Sequence, residues 1–175
     1  SSLCHRMAVG NPRVFVKNGF RESPDTAGHI LLDSSGSMTD SGLMFANAVC
    51  YAVGKALQGI SGVNLGITAF PGANRAKRGA TVAPVLRHGE KLTTRFPEIA
   101  YGMTPMAESL WWVMQQMCLL RENRKIILII TDGEPDSIPA AQEAFKQAQK
   151  KGFECYGLGI MCSNIATCCL MPAAS

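Results

Sequence analysis

No stretch of this chain holds the ~20 consecutive apolar residues that a membrane-spanning helix needs. Aromatic residues are scarce at 7%, and the 17 basic residues outnumber the 13 acidic ones only enough for a net charge of +4. That small excess is spread over Arg75, Lys77 and Arg78, then Arg121, Arg124 and Lys125, then Lys146, Lys150 and Lys151. None of these groups has the density of a nucleic-acid patch, which sets nucleic acid aside as a partner. There is no Gly-x₄-Gly-Lys-Ser/Thr loop, which excludes a P-loop ATPase. The cysteines, 7 in number, lack paired C-x-x-C spacing, and Cys162-x₅-Cys168-Cys169 does not supply it. With no cleavable leader at the N-terminus, they read as reduced thiols of a cytoplasmic protein. His29 and His88 have no second nitrogen or carboxylate at ligand spacing and do not read as catalytic. No internal repeat or low-complexity tract is present.

What the chain does have is alternation. Its 175 residues, 47% hydrophobic, suit one domain able to bury about two-thirds of its unfolded surface. Apolar runs predict strands near 28–33, 63–70, 81–86, 125–131 and 154–160, with a short edge strand over Val14–Val16. Between them, apolar residues at helical spacing predict helices near 40–59, 105–121 and 137–151, and a short one over 91–97. On the first helix the stripe is Phe45, Val49, Ala52, Val53, Ala56 and Leu57; on the second it is Met106, Leu110, Val113, Met114, Met117 and Leu120. Gly66, inside a strand, predicts close packing by a neighbour. Trp111 and Trp112 cannot both face inward on one helix, so one belongs to the core. The pattern predicts a three-layer α/β/α, doubly wound, mostly parallel sheet, in which the short link after residue 70 makes 81–86 an antiparallel edge strand.

Chemistry concentrates at three strand or loop ends. The run His29–Leu32 leads into Asp33-Ser34-Ser35-Gly36-Ser37-Met38. Alternate residues of an extended segment point the same way, so Asp33, Ser35 and Ser37 can converge. Hard oxygen donors suit Mg²⁺, Mn²⁺ or Ca²⁺, and with one local formal charge an ion there stays able to accept a further carboxylate. The apolar run 125–131 ends in Asp132-Gly133-Glu134-Pro135, placing Asp132 at a strand's carboxyl end, where α/β sheets bind ligands. Between the two lies Thr104, just before a helix that starts at Pro105. Plainer readings stand beside these: Asp33, Ser35 and Ser37 as turn and cap residues, Thr104 as an N-cap, Asp132 as a turn residue. Glu108, Glu134 and Asp136 read as solvated or helix-start acids, Thr131 as structural, and Met38, Met103 and Met106 as packing residues.

Asp-x-Ser-x-Ser, a Thr-Pro before a helix, and Thr-Asp-Gly after an apolar strand resemble, in that order, the metal-ion-dependent adhesion site of von Willebrand factor A domains. The resemblance spans about residues 26–161, flanked by an N-terminal extension over 1–25 and a C-terminal tail over 162–175. It implies a Rossmann-like fold and a metal site of Asp33, Ser35, Ser37, Thr104 and Asp132, with Mg²⁺ as the expected ion. It further implies a non-catalytic binding module whose protein partner supplies an acidic side chain to the metal. The Asp33–Met38 wording most resembles the domain of the cobaltochelatase large subunit, which implies an AAA+ ATPase partner and a place in cobalamin biosynthesis. An adhesion-type extracellular domain is the alternative. A Mg²⁺-dependent phosphohydrolase is disfavoured, because Ser35 stands where such an enzyme needs a second carboxylate. Family members continue after the fifth strand through a further strand and helix, so the tail is expected to be a truncated remnant of those elements.

Overall fold

The computed structural model describes residues 24–72, 82–133 and 135–160. Val14–Val16, most of the N-terminal extension, Arg75, Lys77, Arg78, Glu134 and the C-terminal tail lie outside those residues. Five strands, β1 (Thr26–Asp33), β2 (Val63–Phe70), β3 (Ala83–Leu86), β4 (Arg124–Thr131) and β5 (Phe153–Gly159), form one sheet ordered β3-β2-β1-β4-β5. β1 pairs in parallel with both β2 and β4, β5 is parallel to β4, and β3 is the antiparallel edge. Helix α1 (Thr39–Gln58) covers one face, while α2 (Met106–Cys118) and α3 (Ile138–Lys150) cover the other. This is the three-layer α/β/α arrangement expected from the alternation of elements.

The central strand explains the order. Every residue of β1 is buried, so its two faces feed two cores. Ala27 and Leu31 meet Leu110, Val113, Met117, Ile127 and Phe145 beneath α2 and α3. Ile30 and Leu32 meet Leu43, Ala46, Cys50, Leu65 and Ile67 beneath α1. Each large aliphatic side chain so buried contributes about 1.5–3 kcal/mol. The α2 stripe packs as its spacing predicts, with Trp112 against the core and Trp111 partly exposed.

Two expectations fail. α1 buries Leu43, Ala46, Cys50 and Gly54 and only half-buries Val49, Val53 and Leu57; Phe45 stays 56% exposed, and Ala52 and Ala56 face outward. Gly54 turns the helix that way, since a Cβ there would lie 3.1 Å from Leu92 and 3.4 Å from Ile67. Residues 91–97 form no helix. Leu92 and Phe96 instead pack from an irregular segment against the α1 core, fixed by Leu92 N–H donating to Gln58 Oε1 (3.1 Å). Cys118 is exposed at the end of α2.

Candidate metal centre

β1 and β4 are neighbours on opposite sides of the point where the strand order reverses, so their carboxyl ends form one crevice. Asp33 ends β1 fully buried. Its Oδ1 accepts from Ser35 N–H (2.8 Å), and its Oδ2 accepts from the Thr131 hydroxyl (2.5 Å) at the end of β4. Burial pushes the Asp33 carboxyl above its ordinary range, and the charge of Asp132 adds to that; the Thr131 and Ser35 hydrogen bonds oppose it. Among the described residues no cationic side chain contributes to that shift, so hydrogen bonds alone offset the burial of the charge.

Beyond Asp33 the oxygens form a chain. Ser35 Oγ and Ser37 Oγ are 2.9 Å apart, and Ser37 Oγ donates to Asp132 Oδ1 at 3.0 Å. Cis ligands of an octahedral ion with bonds of about 2.0–2.1 Å stand ~3 Å apart. The donor set therefore fits a hard divalent cation in both chemistry and spacing. Ser37 sits on a single 3₁₀ turn (Gly36–Met38) that hands over to α1 through Thr39, held at φ 53°. A β-branched residue at positive φ stores about 1–3 kcal/mol, and such strain concentrates at functional sites.

Thr104 lies in a loop bonded to both others. Tyr101 N–H donates to Ser34 O (3.0 Å) and Gly36 N–H to Gly102 O (3.2 Å). On the other side Thr104 N–H donates to Asp136 Oδ1 (2.7 Å), and Asp136 N–H returns to Thr104 O (3.1 Å). The structure thus links Asp33, Ser35, Ser37 and Asp132 in one hydrogen-bonded chain and places Thr104 on a loop bonded to the segments that carry them. Gly133 lies alongside, where a Cβ would be 3.5 Å from Ser37 Oγ. Three residues carry more than their sequence reading. Asp136, read as a helix-start acid, fastens the Thr104 loop; Thr131 orients Asp33; Ser34, passed over, fixes the turn by donating to Phe70 O at 3.1 Å. None of the three roles has a local sequence signal, and the N-cap of α3 is Ser137 rather than Asp136.

The chain matches the von Willebrand factor type A domain over residues 29–167, most of its length. It belongs to the von Willebrand factor type A (VWA) family. Among solved structures of the VWA fold, it is similar to the manganese-loaded TRAP protein of Plasmodium vivax (TM-score 0.65, 18% identity), covering 87% of this chain and 66% of that one. It is also similar to proximal thread matrix protein 1 of the mussel byssus with a zinc-occupied MIDAS motif (0.64, 10% identity, 87% and 40%). A third is the pilus adhesin SpaC of Lactobacillus rhamnosus GG in its open conformation (0.60, 16% identity, 79% and 24%). The chain spans less than two-thirds of each of these proteins. No curated protein sequence matches it. Among the described residues, no helix of this VWA domain is long and apolar enough to cross a membrane.

Proposed function

We propose that this VWA domain is a divalent-metal-dependent protein-binding module without catalytic activity of its own. Asp33, Ser35, Ser37, Thr104 and Asp132 hold the ion, Mg²⁺ in the first instance, with Mn²⁺ or Ca²⁺ able to replace it. A partner's Asp or Glu completes its coordination. The observation that carries this reading is the Ser35–Ser37–Asp132 oxygen chain at octahedral spacing above the buried Asp33. The ion supplies positive charge that offsets the burial of the Asp33 carboxylate, and a carboxylate bound to it from outside would be a charge-assisted anchor at the centre of an interface. Exposed Met103, 70% accessible and adjacent to Thr104, offers an adaptable apolar rim.

The finer partner is a matter of which acidic protein docks. The wording of the first loop favours an AAA+ ATPase of the cobaltochelatase kind, in cobalamin biosynthesis and in the cytoplasm. The adhesin and matrix protein sharing the fold favour an extracellular ligand. Capture of partners with and without chelator, by wild type and Asp132→Ala, separates the two by what is retained. The site itself is tested by calorimetric titration of Mg²⁺ into wild type, Ser37→Ala and Asp132→Ala, with circular dichroism as the check on folding. Weaker binding in both folded variants is expected, and equal affinity for all three proteins overturns the reading.

A further inference from the structure

On the face of the sheet covered by α2, away from the metal centre's loops, a cavity of about 350 Å³ opens between β3, the turn after it and the end of α2. That volume is at the small end of ligand pockets, which run about 300–1,000 Å³. Its floor is His29, Thr68 and His88; Trp112 and Leu86 wall it; Gln116 and Arg87 stand at its mouth.

The hydrogen bonds of the floor fix their own direction. His88 Nδ1 is 3.3 Å from Asn64 O, a carbonyl that only accepts, so Nδ1 carries the proton. In the neutral ring Nε2 is then an acceptor, and it takes the Nδ1–H of His29 at 3.0 Å. His29 Nε2, left with a lone pair, accepts from the Thr68 hydroxyl at 2.9 Å. Burial lowers both imidazoles, His29 to about 3, in keeping with two neutral rings. All four ring nitrogens and the hydroxyl proton are therefore consumed inside the floor. What it presents to the cavity is aromatic and aliphatic surface, and no nitrogen is left over for a metal ion.

Polarity enters only at the mouth. Arg87 is exposed and makes no ion pair among the described residues; Glu90 approaches its backbone, accepting from Arg87 N–H at 3.1 Å. A cavity lined by Trp112, the histidine rings and aliphatic side chains, with Arg87 the one cation in its lining, is complementary to a ligand with an aromatic, apolar body and one anionic group at its end. We propose that this cavity is a second binding site, separate from the metal centre, for a small amphipathic aromatic monocarboxylate. The carboxylate pairs with the Arg87 guanidinium, which presents a fork of donors, and Gln116 can add a further hydrogen bond. The ring system lies against Trp112 over the histidine floor.

The probe is indole-3-acetate, with the uncharged indole-3-ethanol as its counterpart, titrated into the isotopically labelled chain and followed by amide chemical shifts. Indole-3-acetate is expected to shift the amides of His88, Gln116 and their neighbours and to bind about tenfold or more tightly than the alcohol. In Arg87→Gln that preference disappears, while Mg²⁺ affinity is unchanged because Arg87 is remote from the metal loops. Equal binding of acid and alcohol by wild type, an unchanged preference in Arg87→Gln, shifts mapping elsewhere, or no shifts with either probe each overturn the proposal.

Discussion

Thr131 shows how much a single hydroxyl can decide. It ends β4, donates to Asp33 Oδ2 at 2.5 Å, and accepts from Gly133 N–H at 3.2 Å, so it orients the buried carboxylate and shapes the turn carrying Asp132. Thr131→Val keeps the volume and removes the donor. A hydrogen bond to a charged group contributes about 1.5–3 kcal/mol, and partners that orient metal ligands are worth about 10–100-fold in metal affinity. Thr131→Val is therefore expected to fold and to bind Mg²⁺ at least about tenfold more weakly by calorimetry. Affinity equal to wild type would reduce Thr131 to a packing residue. Its role was not legible in the sequence, because its partner is 98 positions away and only strand pairing reveals it.

At the scale of elements, the joint between β1, β2 and β3 is a further place where packing is tight enough to predict. Gly66 on β2 faces the histidine pair, and a Cβ there would lie 2.6 Å from His88 Nε2 and 2.7 Å from His29 Nδ1. Gly28 on β1 has only Leu65 Cδ1 at 3.6 Å. Gly66→Ala is expected to cost about 1–3 kcal/mol in urea unfolding and Gly28→Ala much less. Equal costs would show that the histidines do not pack as described. The same pair sets a pH dependence. Both histidines are lowered in the fold, so below the unfolded value of 6.5 the unfolded chain binds more protons than the folded one. The stability they contribute is complete above pH 6.5 and is lost as pH falls from there towards about 3, the folded value of His29. Each such proton gives a slope of about 1.4 kcal/mol per pH unit. Asp33, raised in the fold, acts with the opposite sign around and above 3.8, where its unfolded carboxyl ionises. Unfolding in chelator is thus expected to show a flat stability above about pH 6.5 and a decline below it; a flat profile to pH 5 would contradict the neutral relay. Gly66 announced this joint in the sequence by its place in a strand, whereas the two histidines, 59 positions apart, did not.

For the whole molecule, the parts that were legible are those written in local pattern. The apolar run 126–130 within β4 announced a strand covered on both faces, and the alternation of elements announced the layers and the antiparallel edge. The oxygens of Asp33, Ser35 and Ser37 were legible because two-residue spacing aims them alike. The orientation of α1 was not, since Phe45 and Leu43 are both apolar and only the Gly54 contact with Leu92 and Ile67 chooses between faces. Nor was Asp136, whose bond to Thr104 exists only once two loops meet. The topology turns these pieces into a site by setting β1 beside β4, so that segments about a hundred positions apart end at one crevice. Diffraction from crystals soaked in Mn²⁺, recorded at the manganese absorption edge, tests this most directly. One dominant anomalous peak is expected within bonding distance of Ser35 Oγ and Ser37 Oγ, about 2.0–2.3 Å from each. A fully soaked crystal with no peak there, or with its dominant peak elsewhere on the chain, would contradict it.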